Sequence, residues 1–353
     1  METKRKAMSD VQLIDDVSHV EQLPPGKDFM ECNGTLWMGT AQGYDLCLVV
    51  INWHVGGGPK GKWMVDKANI GHTTFQMIPH DERYQMHDND YIGNRQDARE
   101  WEGEKIQITP MSDRVIWKHA NREFINRPPY WEVKGEHMGV ECDLVAGAMG
   151  NCTRVYGPLS DLKKTLWAGY EQRCWGEGTI TVGGKKYTFE KAYACHDVMT
   201  LGETYDHMKN MREPYYYIWA IDDTIQTYIW RQRGSGVEYS RVYVDGEETP
   251  FGGSEISIDE LEWWLDPKTG MSIPIRWHVN LNSARGVVDM NMVAGGRGSF
   301  SVMTRNGSTM RHGFLVRANG NAFFPDGRKI PIKDMMTYLE WGRSAMPLES
   351  GAP

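Results

Sequence analysis

Short apolar alternations separated by Gly-Gly, Asp-Gly and Asp-Asp pairs recur along nearly the whole chain, and they leave little room for helices. The stretch CWGEGTITVGGKKYTFEKAYACHD, from Cys174 to Asp197, is the clearest case. A two-residue turn at Gly183-Gly184 pairs Ile180 with Tyr187 and Val182 with Lys185, because glycine adopts the positive φ that tight hairpins demand. Alternation from that turn predicts Ile180, Tyr187, Phe189 and Tyr193 on one face, with Thr179, Thr181, Thr188, Glu190, Ala192, Ala194 and His196 on the other. Asp197 then points away from His196, so a His196/Asp197 pair requires a bulge or a strand end. Strands following strands in this way argue for antiparallel sheets rather than a βαβ alternation.

The same reading extends to both ends of the chain. YDLCLVVINWHVG is apolar on both faces from Leu46 to Ile51, which predicts a strand buried on two sides that opens onto polar Asn52 and His54 before the loop GGGPKG. Between Thr224 and Arg233, Gln226, Tyr228 and Trp230 share one face, while Ile225, Thr227, Ile229 and Arg231 share the other. The Asp222-Asp223 pair reads first as a turn. Ser160–Gln172 is the best helix candidate in the middle of the chain, with Ser160 as its N-cap. The polar segment Ile78–Glu104 is expected to lie over a surface or a cavity mouth.

At 353 residues the chain exceeds one ordinary core, so two domains are expected, at 1–205 and 206–353. A net charge of −8, with no clustered basic face, argues against nucleic acid as a partner. No apolar run is long enough for a spanning helix, and the acidic stretch after METKRKAM is not a signal peptide; a cytoplasmic protein is the expectation. Six scattered cysteines show no paired spacing and read as reduced core residues. Fourteen Trp and twenty-one Met suit either ordinary β cores or apolar cavities.

The familiar cofactor and metal signatures are missing. GGGPKGK lacks phosphate-loop spacing, and no G-x-S-x-G elbow is present. The set His196, Glu203 and His207, and the set His80, Asp81, His87, Asp88 and Asp90, match neither zinc nor calcium patterns. No metal and no cofactor are therefore expected.

The order of motifs is distinctive. A Gly-Gly hairpin ends in His196-Asp197. LEWWLDPKTGMSIPIRWHV follows at Leu261–Val279, and a terminal Pro-Asp-Gly turn precedes Tyr338-x-Glu340. From roughly Gly34 to Trp341 this resembles the carotenoid 1,2-hydratase/AttH-like superfamily, which includes lipocalin-like hydratases and Diels–Alderase-type cyclases. The resemblance implies an all-β fold of two consecutive lipocalin-like antiparallel β-barrels with few short helices. It also implies a cofactor-free apolar pocket at or between the barrels. The family's Asp-His-x-Trp-Gly strand end reads Cys195-His196-Asp197-Val198-Met199 here, and its Tyr-x-Asp finds only Tyr228-x-Trp230, so the family's acid is not carried over.

Such a protein is expected to act as a hydratase, dehydratase or cyclase on a hydrophobic isoprenoid- or polyketide-like small molecule. That chemistry needs an acid, a base, and aromatic faces against developing positive charge. The expected catalytic residues are His196, Asp197, Asp222 and Tyr228, with His54, Trp219, Trp230 and Trp277 as substrate-binding walls. The alternative is a carrier of hydrophobic ligands without chemistry. An acid and base with perturbed pKa inside the pocket would favour the enzyme, and a purely apolar pocket the carrier. A homodimer is left open.

Overall fold

The computed structural model describes residues 6–56, 67–86, 92–98, 105–203, 214–232, 237–304 and 307–345. They form two antiparallel sheets, each curled around its own apolar core, and the expected pair of lipocalin-like barrels is present. The first sheet runs in spatial order from Ile92–Ala98 through Lys67–Pro79, Tyr44–Gly56, Phe29–Ala41, Lys191–Gly202, Trp167–Val182 and Val140–Ala148. It continues through Tyr130–His137, Asn121–Arg127 and Val115–His119 to Gln107–Pro110. The second runs from Glu247–Gly252 through Val237–Val244, Ile225–Gln232, Tyr215–Ile221, Lys329–Ala345, Gly307–Phe323, Gly286–Thr304 and Ser272–Ser283 to Ile256–Leu265.

A third apolar cluster lies between the two sheets, and it explains the two-sided apolar strand. Along Tyr44–Gly56, Leu46, Leu48 and Val50 enter the first barrel's core, whereas Cys47, Val49 and Trp53 pack toward the second sheet. The same division orders Ile225–Gln232, where Ile225 and Ile229 fill the second barrel and Tyr228 and Trp230 face the first sheet. Polar groups tie the two together. Gln76 donates from Nε2 to the Gly313 carbonyl at 3.0 Å and accepts from the Leu315 amide at 3.1 Å, as a neighbouring strand would. Asp45 takes Arg317 from across the same gap, and Arg83, which follows the first-sheet strand Lys67–Pro79, pairs with both Asp45 and Asp334 of the second sheet.

The hairpin forms as expected, with Gly183 and Gly184 at φ 58° and 76° and Ile180 opposite Tyr187. Its face assignment holds only as far as Phe189. The strand breaks at Phe189–Glu190, and pairing with Trp167–Val182 resumes one residue out of step. Ala192 and Ala194 therefore join Ile180 and Tyr187 in the barrel core, while Tyr193 turns to the other side. A one-residue slip inverts every side chain beyond it.

The expected helix at Ser160–Gln172 shrinks to a 3-10 turn at Leu159–Asp161 and an α-helix at Leu162–Thr165. Leu166 ends it in the left-handed region, and the long strand begins at Trp167. In the polar segment after Ile78, the strand ends at Pro79, a 3-10 turn follows at His80–Glu82, and Ile92–Ala98 is a further strand. His87, Asp88, Asp90 and His207, like residues 57–61 of the GGGPKG loop, lie outside the described residues.

The LDPKTG motif is structural. Asp266 is fully buried, accepts the Lys268 amide at 3.0 Å and the Thr269 hydroxyl at 2.8 Å, and pairs with buried Arg297. Burial pushes its carboxyl up, but the hydrogen bonds from Arg297, Lys268 and Thr269 outweigh that and hold it below its ordinary value.

Candidate active site

Between the sheets lies a cleft of about 630 Å³, a figure that includes its mouth, so the enclosed part is smaller. Its walls are mostly Met, Val, Ile and aromatic side chains, yet Glu171, Asp197, Glu340 and Arg311 also reach it. Strand alternation places them there. On Lys191–Gly202, Cys195, Asp197 and Met199 face the cleft, while Ala194, His196 and Val198 face the first barrel's interior. Glu171 is the direct cross-strand partner of Asp197, and Glu340 is the partner of Tyr217 in the second sheet.

The carboxyls have unequal surroundings. Glu171 Oε2 accepts from the Tyr217 hydroxyl at 2.6 Å, the Cys195 thiol at 3.0 Å and the Trp219 indole at 3.2 Å. Its Oε1 is buried and has no partner among the described residues. Asp197 receives a single weak contact, from the Cys32 thiol at 3.8 Å, and its buried Oδ1 likewise has none. Glu340 takes Arg311 Nη1 and the Tyr338 hydroxyl, each at 3.2 Å.

Burial pushes the Glu171 carboxyl up to about 7, against the three hydrogen bonds that favour its ionised form. Burial raises Asp197 well above the carboxylate range, and repulsion from Glu171 and Glu340 adds to it. Glu340 is also raised by burial, which outweighs the opposing pull of Arg311 and Tyr338. Two acids directly opposed on neighbouring strands repel if both are ionised, so they titrate as a pair. The donors decide which form each takes. Glu171, with three, is the better carboxylate, and Asp197, with one long thiol contact, is the better holder of the proton. Burial raises the Cys195 thiol well above its ordinary value, so it serves as a neutral donor rather than a nucleophile.

The residues favoured by sequence fall in several places. Asp197, Trp230 and Trp219 belong to this region, the first two lining the cleft and Trp219 bonding Glu171. Tyr228 packs 4.5 Å from Trp219, behind the wall. His196 and Asp197 do not form a pair, because the strand passes through them without a bulge. His196 instead points into the first barrel, where Nε2 lies 3.1 Å from Asp16 Oδ1 and the ring stacks 5.1 Å from Trp131. Asp222 caps its turn through the Thr224 and Ile225 amides, both at 2.7 Å. His54 stands 3.6 Å from Glu31, off the cleft, and Trp277 is buried in the second barrel against Phe314. Among the described residues no group of three or more His, Cys, Asp or Glu could hold a metal ion. No described helix is long and apolar enough to cross a membrane.

Glu171, Tyr217, Arg311 and Glu340 were not singled out from sequence as site residues. Of these, Glu340 alone carried a signal, as the acid of the terminal Tyr338-x-Glu340 in the quoted motif order.

No protein-family model matches the sequence, and no curated protein matches it. Solved structures share its fold. The AttH protein (NE1406) of Nitrosomonas europaea is 12% identical with a TM-score of 0.56, the match covering 96% of this chain and 97% of that one. Kievitone hydratase of Nectria haematococca is 10% identical with a TM-score of 0.50, covering 96% and 97%. CghA, solved with Sch210972, is 10% identical with a TM-score of 0.55, covering 97% and 95%.

Proposed function

We propose that this protein is a cofactor-independent lyase or cyclising isomerase for a hydrophobic, isoprenoid- or polyketide-like small molecule held between the two sheets. Asp197 is its general acid and Glu171 its general base. The observation that carries this reading is the opposed Glu171/Asp197 pair in an apolar wall, each carboxyl with one oxygen that has no partner among the described residues. A carrier needs no such pair, since burying two acids without full partners costs stability. The fold likeness to a hydratase supports the reaction class by analogy only.

In the hydration direction, the Asp197 proton passes to one alkene carbon, and positive charge develops on its neighbour beside the faces of Trp230 and Tyr217. Water adds its oxygen to that carbon and gives a proton to Glu171. Return of the proton from Glu171 to Asp197, directly or through a water, resets the pair. Dehydration is the reverse. In a cyclisation an internal carbon–carbon double bond replaces water as the nucleophile, and Glu171 removes the final proton.

Incubating the purified protein with prenylated phenols and linear polyenes in deuterated water tests this, with products read by mass spectrometry. The expected result is conversion of at least one compound with deuterium gained at carbon. Asp197→Asn or Glu171→Gln then lowers kcat/KM by about 10²–10⁴-fold. Binding of these compounds without conversion, or variants as active as the parent, would sink the proposal.

A further inference from the structure

The first barrel encloses a cation that the chemistry between the sheets does not use. Arg122, on the strand Asn121–Arg127, is 1% exposed. Its Nη1 donates to Thr73 Oγ1 at 2.6 Å, and its Nη2 to Asn52 Oδ1 at 3.3 Å and the Ile51 carbonyl at 3.4 Å. The guanidinium carbon also sits 5.2 Å from the Phe124 ring centre. Each of these partners is neutral, and Nε has no acceptor among the described residues. Burial lowers the guanidinium pKa to about 10, which leaves it charged at neutral pH. The opposing influences are through space, from the buried Cys142 thiol and from Glu136, whose side chain is on the exposed side.

The neighbouring amides are also in want of a partner. Asn52 turns its oxygen toward Arg122 and leaves Nδ2 without an acceptor. Asn33, its direct cross-strand neighbour, has neither amide atom paired among the described residues, and both asparagines are fully buried. A buried charge without a counter-charge costs several kcal/mol in general, and unused donors add to that cost. A water can take the hydrogen bonds but leaves the charge uncompensated.

We propose that the first barrel holds a small monatomic anion of halide size, bound to the Arg122 guanidinium with the Asn52 and Asn33 amides beside it. Packing sets the size. A Cβ added at Gly71, on the adjoining strand, would lie 2.6 Å from His137 Nε2 and 2.7 Å from His119 Nδ1, so these rings bound the lumen closely on that side and favour a compact anion over an extended one. The anion serves stability, and the proposal stands apart from the proposed catalysis.

Two measurements test it on the full chain. Thermal unfolding in sodium chloride against sodium gluconate at equal ionic strength should give a midpoint several degrees higher in chloride for the parent. That difference should vanish in Arg122→Met. Crystals of the parent grown in sodium bromide should show an anomalous peak in contact with Arg122, a readout that stands even if the variant does not fold. Equal midpoints in the two salts, or bromide peaks at the surface only, overturn the proposal.

Discussion

Glu171 and Asp197 are direct cross-strand partners whose side chains enter the same cleft. Three donors converge on one oxygen of Glu171, whereas Asp197 receives one long thiol contact. This asymmetry separates two carboxyls that share one patch of sheet into a base and an acid.

Tyr217→Phe tests that asymmetry. The Tyr217 hydroxyl gives Glu171 its shortest hydrogen bond, at 2.6 Å, and stabilises the ionised form. Its loss should move the acidic limb of the kcat/KM profile, set by ionisation of Glu171, to higher pH, with a smaller effect at the optimum. An unmoved limb in the pH–rate profile would show that Glu171 is not the group it reports.

Stability should depend on pH through the same carboxyl. Glu171 is raised from 4.5 to about 7 in the fold, so between those values the folded state holds more protons than the unfolded one. Stability is then fully present below the unfolded value and falls as pH rises through 7. The loss on complete ionisation is on the order of 3 kcal/mol. Urea unfolding of Glu171→Gln across this window should show a flatter pH dependence than the parent, and parallel curves would contradict it.

His196→Ala separates structure from chemistry. The ring holds Asp16, whose Oδ1 also accepts the Tyr170 hydroxyl at 2.5 Å and whose carbonyl accepts the Trp117 indole at 2.7 Å. Together these anchor the N-terminal segment inside the first barrel. Losing the ring leaves a buried carboxylate underpartnered and should cost about 1–3 kcal/mol in denaturant unfolding. Turnover by the folded fraction should persist, and a selective loss of kcat would restore His196 to the chemistry.

Asp266→Asn should be harsher, because it leaves Arg297 buried without its counter-charge. Breaking one partner of such a pair typically costs about 3–5 kcal/mol. Calorimetry should show a lowered unfolding temperature, and an unchanged one would mean that Arg297 finds another partner.

The sequence by itself determined the strand content, the Gly183-Gly184 hairpin and the two-sided burial of Leu46–Ile51. Those features rest on local φ preferences and on a period of two, both of which can be read within a few residues. It also placed His196 and Asp197 on opposite faces. The site needed more. Extending the hairpin's register leads Asp197 to Tyr170, a core residue, and only the slip at Phe189–Glu190 brings Glu171 opposite it. Nothing in the alternation announces that extra residue. Nor can strand periodicity say whether the outward face of a barrel meets water or a second sheet. Packing of the second sheet against that face shuts Glu171 and Glu340 away from solvent and leaves Asp197 only partly exposed, and that desolvation gives ordinary carboxyls their raised pKa.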